Sequence, residues 1–244
     1  MQTTGKRVLI TGGGSGIGLD LAREFLKLGH IVIICGRTLE KLEEAKAQYP
    51  ELHIVQCDVS SDEQIQALRY KLETEFGGID ILVNNAGVWF TEDIVQRDVP
   101  LDHQFKLIEI NVNGPLRMVH YFLPDLLKKP EAVIINVSSA VAYVPFTLAP
   151  VYSATKAAVH SWSLSLRKQL AGTNVKVVEL MPPFVDTEMT TELAGVPKMS
   201  AEQHASQFMK AFLSGKLEIR PGLSGRLKLM SQIAPGLALN LINR

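Results

Sequence analysis

Tyr152-Ser153-Ala154-Thr155-Lys156 sets a phenol and an ammonium four residues apart. On a helix that spacing puts both groups on one face, one turn apart. A free phenol, with a pKa near about 10, is a poor proton-transfer group at neutral pH. A neighbouring cation stabilises the phenolate and draws it towards a useful range. Tyr-x-x-x-Lys is also common on surface helices, so the pair gains weight only from its surroundings. Ser139 stands thirteen residues upstream, just past an apolar run. Its hydroxyl can donate to a substrate oxygen and stabilise the negative charge that develops in a reduction. Ser138 is the competing donor, and the spacing to Tyr152 favours Ser139. Asn111, in Asn111-Val112-Asn113-Gly114, falls inside a long helical pattern. A buried amide there must be hydrogen-bonded, and it can perturb the helix locally while holding a water near Lys156.

A proton moved at an oxygen needs a hydride moved at the attached carbon, and the N-terminal segment offers a carrier site. Arg7–Ile10 reads as a strand that ends in Thr11-Gly12-Gly13-Gly14-Ser15-Gly16-Ile17-Gly18, with an amphipathic helix following. Glycines in that position let the backbone turn sharply and approach a pyrophosphate, while the helix N-terminus offers unpaired N–H groups. Gly12, Gly14, Ser15, Gly16, Ile17 and Gly18 are therefore candidate cofactor contacts. The second strand ends Cys35-Gly36-Arg37. An acidic residue at this point would hold a ribose 2′-OH, whereas Arg37 suits a 2′-phosphate. NADP(H) is favoured, with NAD(H) the alternative. Asp58, followed by Val59, can accept from an adenine amino group or cap the next turn. Asn84-Asn85-Ala86-Gly87 closes the fourth strand. Asn84 reads as a tie between strands, and Asn85, Ala86 and Gly87 as cofactor-lining as well.

The elements that must position these groups alternate in type. Strands are expected at Arg7–Ile10, Ile31–Cys35, His53–Cys57, Ile79–Val83, Ala132–Val137, Val175–Leu180 and, more weakly, Leu217–Ile219. Helices are expected near 16–28, 38–48, 61–76, 102–127, 150–171 and 201–214, the last with a Ser200–Gln203 capping pattern. Alternation of this kind predicts an α/β fold, a doubly wound parallel sheet of about seven strands. The strand runs are apolar without alternation, as when helices cover both sheet faces. Residues 182–200 read as a loop bordering the substrate. The apolar tail 221–244 is expected to pack as a terminal helix on the body or on a second subunit.

With 244 residues, 46% of them hydrophobic and 25 acidic against 25 basic, one globular domain spanning 1–244 is expected. Zero net charge gives no reason to expect nucleic acid or an anionic membrane as partner. No apolar run reaches about 18 residues, and the first seven residues lack a signal-peptide pattern, so a cytoplasmic protein is expected. Cys35 and Cys57 suit reduced core positions. The Asn136-Val137-Ser138 sequon, at a strand end, is read as coincidental. The six histidines show no ligand spacing, so no metal site is expected. His160 is read as a packing residue. Trp89, Phe90, Tyr143, Val144, Phe146 and Phe184 fall in loops at the carboxyl end of the sheet, where they line a pocket or plug the loops.

Taken in order, TGxxxGxG, NNAG, an Asn, a Ser, YxxxK and a Pro-rich turn give a chain that resembles the short-chain dehydrogenases/reductases of the roughly 250-residue type. The motifs are Thr11–Gly18, Asn84–Gly87, Asn111, Ser139, Tyr152–Lys156 and Pro182-Pro183, and they cover nearly the whole chain. The resemblance implies a Rossmann-type fold, with Tyr152 as general acid/base and Lys156 as ribose ligand and modulator of the phenol. It further implies Ser139 as donor to the substrate oxygen and Asn111 as holder of a proton-relay water. Pro182, Val185 and Thr187 are implied on the nicotinamide side. Pro183 stands where the family has glycine; it removes a donor and restricts the turn. The Cys-Gly-Arg strand end, Pro-Val-Tyr and the Pro-Pro turn look most like a bacterial subgroup typified by the DltE oxidoreductases.

The function expected is therefore hydride transfer between a nicotinamide and a small-molecule carbonyl or alcohol. A nucleotide-sensing regulatory or scaffold protein with little turnover is the alternative. An epimerase or dehydratase using the same Tyr and Lys fits less well, because those relatives carry a longer C-terminal substrate domain. Family resemblance implies a homodimer or homotetramer packed through helices 102–127 and 150–171.

Overall fold

The computed structural model describes residues 4–97, 99–193 and 195–243. Seven parallel strands form one sheet in the order β3-β2-β1-β4-β5-β6-β7. They are β1 (Arg7–Thr11), β2 (Ile31–Gly36), β3 (His53–Gln56), β4 (Ile81–Asn84), β5 (Ala132–Val137), β6 (Val175–Leu180) and β7 (Glu218–Ile219). The helices are α1 (Gly16–Lys27), α2 (Leu39–Gln48), α3 (Asp62–Phe76), α4 (Leu101–Ile108), α5 (Gly114–Leu126), α6 (Pro150–Gln169), α7 (Ala201–Leu213), α8 (Ser224–Ile233) and α9 (Pro235–Ile242).

Successive strand residues point to opposite sheet faces, and here both faces are buried. Val8, Ile10, Val32 and Ile34 pack with Leu21 and Phe25 of α1 and with Phe208 and Phe212 of α7. Their neighbours Leu9, Ile33, Leu82 and Ile134 pack on the other face, against Leu68 of α3, Phe122 of α5 and Leu166 of α6. This two-sided burial is why the strands are continuous apolar runs.

Strand order reverses between β1 and β4, so a crevice opens at their carboxyl ends. The doubly wound parallel sheet is the one expected, with three local differences. The fourth strand is Ile81–Asn84 and does not start at Ile79; just ahead of it the Asp80 carboxylate accepts from the Arg7 N–H and guanidinium. The helix expected over 102–127 is interrupted by a π-helical turn at Glu109–Asn113, which carries Asn111. The tail forms two helices, α8 and α9, divided where Ala234 leaves helical geometry ahead of Pro235. No described helix is long and apolar enough to cross a membrane.

Candidate active site

The crevice is a cavity of about 830 Å3 running from the end of β2, past the glycine turn, to the start of α6. Close packing requires the glycines at its floor. A Cβ on Gly12, whose φ is +63°, would lie 2.9 Å from the Ala86 Cα, and one on Gly18 would lie 2.3 Å from the Gly12 carbonyl oxygen. Gly13, absent from the candidate contacts, faces the core instead: its Cβ would lie 2.5 Å from Ile34 Cγ2. Thr11 and Asn85 hold the turn in place. The Thr11 hydroxyl accepts from the N–H groups of Asn85 and Ala86, each at 3.0 Å, and Asn85 Nδ2 donates to the carbonyls of Thr11 and Gly12. Asn84 ties β4 to β5 through Asn136 at 2.9 Å, and Asn136 is fully buried, which suits the coincidental reading of its sequon. Gly14, Ser15, Gly16 and Ile17 line the cavity at the N-terminus of α1, whose first turn carries no acidic residue.

At the far end of β2, Arg37 is exposed and lines the cavity, and its guanidinium has no ion-pair partner among the described residues. Asp58 and Val59 also line it. Of the two readings of Asp58, the turn cap is realised: Oδ1 accepts from the Ser60 N–H at 2.9 Å and from its hydroxyl at 2.7 Å.

Tyr152 and Lys156 lie on one face of α6, with Lys156 Nζ 5.6 Å from the centre of the phenol ring. Ser139, in extended backbone ahead of a 3-10 turn, accepts from the Val141 N–H at 3.3 Å, and its hydroxyl stands close enough to the Tyr152 phenol to favour the phenolate. Ser138 points the other way and donates to the buried carboxylate of Glu179, which His160 Nδ1 also contacts at 2.9 Å. Burial pushes the Tyr152 phenol above its usual range, and the nearby Ser139 hydroxyl opposes that shift. Burial also lowers Lys156 to about 8. The ammonium donates to the Val137 carbonyl at 3.0 Å. Asn111 spends its amide on other partners: Oδ1 accepts from the Val88 N–H at 2.8 Å, and Nδ2 donates to the Val88 carbonyl and to Thr155 Oγ1. Gly87 fits between, since a Cβ there would lie 3.3 Å from Asn111 Oδ1 and 3.7 Å from Lys156 Nζ.

On the remaining wall, Pro182 accepts from the Ala140 N–H at 2.9 Å, which joins the Pro-Pro turn to the serine loop. Val185 is buried, lines the cavity, and its N–H has no partner among the described residues. Thr187 leads into a 3-10 turn at Glu188–Thr190 and leans against Gly16.

Three site contacts left no mark in the sequence. Ala149 cannot cap α6 with its side chain, and the buried carboxylate of Glu92 does so from a distance. It accepts from the Val151 N–H at 2.9 Å, one residue before Tyr152, and its second oxygen accepts from Gln104. Lys41 and Glu188 pair across the cavity at 2.7 Å. The Trp89 indole N–H donates to the Met189 carbonyl, and its ring stands edge-on to Tyr152, with centroids 6.0 Å apart.

A family model for short chain dehydrogenases matches residues 6–196. The chain belongs to the short-chain dehydrogenase family. It is 42% identical over 224 residues to an uncharacterized oxidoreductase, DltE, of Bacillus subtilis, covering 90% of this chain and 89% of that protein. Among solved structures, a short-chain dehydrogenase from Burkholderia cenocepacia in complex with NADP is 25% identical, with a TM-score of 0.87 and 99% of both chains covered. A family structure from Burkholderia phymatum in complex with NAD is 24% identical, with a TM-score of 0.84, covering 100% of this chain and 97% of that one. As a short-chain dehydrogenase, the protein is an oxidoreductase with the nucleotide-binding fold of that family.

Proposed function

We propose that the protein is an NADP(H)-dependent carbonyl reductase or alcohol dehydrogenase that uses Tyr152 as its general acid/base. The observation that carries this reading is the convergence of Ser139, Tyr152 and Lys156 on one cavity that also contains the glycine turn. The cavity suits a dinucleotide. The N-terminus of α1 is free of acid, Gly87 leaves a gap beside Lys156 that a Cβ would fill, and the Val185 N–H awaits an acceptor. Gly12, Gly14, Ser15, Gly16 and Ile17 would hold the pyrophosphate, with Gly18 letting α1 pack closely beneath the turn, and Arg37 would hold a 2′-phosphate. Asp58, Val59, Asn85 and Ala86 would border the adenosine half, and Pro182, Val185 and Thr187 the nicotinamide. Nicotinamide supplies or accepts the hydride when bound.

The chain supplies the proton chemistry. In reduction the carbonyl oxygen becomes an alkoxide and takes a proton from the Tyr152 hydroxyl, while Ser139 donates to the same oxygen. The carbonyl consumes one hydride and one proton and leaves as an alcohol; oxidation runs the reverse. Lys156 stabilises the phenolate left behind. Asn111, in its π turn, braces the loop at Val88 against α6 and is read as the start of the proton-return path. Changing Tyr152 to Phe keeps the ring and removes the proton. The turnover number should fall by about 100-fold or more, with NADPH affinity nearly unchanged; near-normal turnover would overturn the assignment. Exposed apolar side chains on α4, α5 and α6, including Leu101, Phe105, Leu116 and Leu164, favour a homo-oligomer built on these helices. Light scattering would measure its mass.

A further inference from the structure

Around Tyr152 the cavity changes character. Trp89 and Phe184, with Phe146, Val141 and Leu193 behind them, form one apolar cluster that includes the Tyr152 ring. Phe90 extends this wall, with His103 stacked flat on it at 5.4 Å between centroids. Among the described residues lining the cavity, the Lys and Arg side chains are Arg37, Lys41 and Lys156. None of them serves this end. Arg37 and Lys41 stand at the β2 side, Lys41 already paired with Glu188, and Lys156 is buried against the Val137 carbonyl. The charge at the rim here is negative: Glu192 is exposed and lines the mouth.

Resting on the reductase reading above, we infer that the carbonyl substrate is uncharged and largely apolar, and that carbonyl compounds carrying a carboxylate or phosphate are excluded. An anion placed beside Trp89 and Phe184 would give up its hydration and find no counterion, whereas an aryl or alkyl group gains apolar contact there. Selectivity therefore comes from what the wall lacks. With its N–H taken by the Met189 carbonyl, Trp89 offers the substrate apolar ring surface and no donor.

A matched pair of ketones, methyl 4-acetylbenzoate and 4-acetylbenzoate, tests this at pH 8. Turnover is followed by NADPH oxidation, and binding to the NADP+-loaded enzyme by calorimetry. The ester should exceed the carboxylate by about 100-fold in kcat/KM and should be the tighter ligand. In Met189→Arg, a cation added at the exposed rim should narrow that ratio at least about tenfold. Equal use of the two ketones, preference for the carboxylate, or binding of neither at millimolar concentration overturns the inference. Binding in the expected order without any turnover supports the pocket's selectivity and counts against the reductase reading instead.

Discussion

Replacing Arg37 with Ala should separate the two nicotinamide cofactors. Arg37 is exposed, follows β2 directly and has no ion-pair partner among the described residues, while its carbonyl is held by Gln56 Nε2 at 2.8 Å. Deleting the side chain therefore leaves no buried charge behind, and the fold should be unaffected. What is lost is attraction to a 2′-phosphate. Two unit charges about 4 Å apart attract by about 1 kcal/mol in water and about 4 kcal/mol at an effective dielectric of about 20. Hydrogen bonds to charged groups contribute about 1.5–3 kcal/mol. For a guanidinium at the open end of a cavity, about 2 kcal/mol is appropriate, which corresponds to a rise of about 30-fold in the NADPH Kd. The NADH Kd should change by less than about twofold, since its ribose offers a neutral hydroxyl there. Fluorescence titration of both cofactors on both proteins measures the two ratios. Raising the salt concentration should shrink the NADPH effect, because the charges are solvent-exposed. An equal change for both cofactors, or none for either, would refute the assignment of Arg37 to a 2′-phosphate.

Three other perturbations bear on separate parts of the structure. Burial lowers Lys156 to about 8, so its cation is present below that pH and lost above it. The kcat/KM for reduction should fall as pH rises through about 8, and the same limb should be missing in Lys156→Arg, whose charge persists. His204 is fully buried, neither ring nitrogen has a hydrogen-bond partner among the described residues, and burial lowers it to about 4 from an ordinary 6.5. Its neutral form is the stable one when folded, so stability present above about pH 6.5 is lost as pH falls through 4. That loss is about 3 kcal/mol, and thermal melts of His204→Leu should show a flatter acid limb. Gly13→Ala places a Cβ 2.5 Å from Ile34 Cγ2. It should destabilise the protein by about 1–3 kcal/mol in urea unfolding, and the penalties of Gly13→Ala and Ile34→Ala should be less than additive in the double variant.

Strands and their order of appearance were legible because two-sided burial demands uninterrupted apolar runs, as in Ile31–Gly36. Chemistry was legible where it depends on short spacing. Tyr152 and Lys156 are one helical turn apart, and the glycine turn is a single local segment. The interruption of the long helix at Glu109–Asn113 was hinted at only by Asn111, since a π turn arises when tertiary contacts such as the Val88 pairing outweigh regular helix bonding. Long-range partners were not legible. Glu92 caps the catalytic helix across 59 residues, Trp89 meets Met189 across 100, and Lys41 meets Glu188 across 147. No periodicity links such pairs; the sheet order and the loops above it bring them together. Ser138 and Ser139 differ for the same reason. Adjacent hydroxyls point oppositely in extended backbone, one towards Glu179 and the other towards Tyr152.

The most direct measurement is a crystal structure of the ternary complex with NADP+ and methyl 4-acetylbenzoate. The nicotinamide ring should lie between Val185 and the Tyr152 end of the cavity, with the ketone oxygen within hydrogen-bonding distance of both the Tyr152 and Ser139 hydroxyls. A dinucleotide bound elsewhere, or a ketone oxygen turned away from both hydroxyls, would contradict the assignment of Tyr152 as the proton-transfer group.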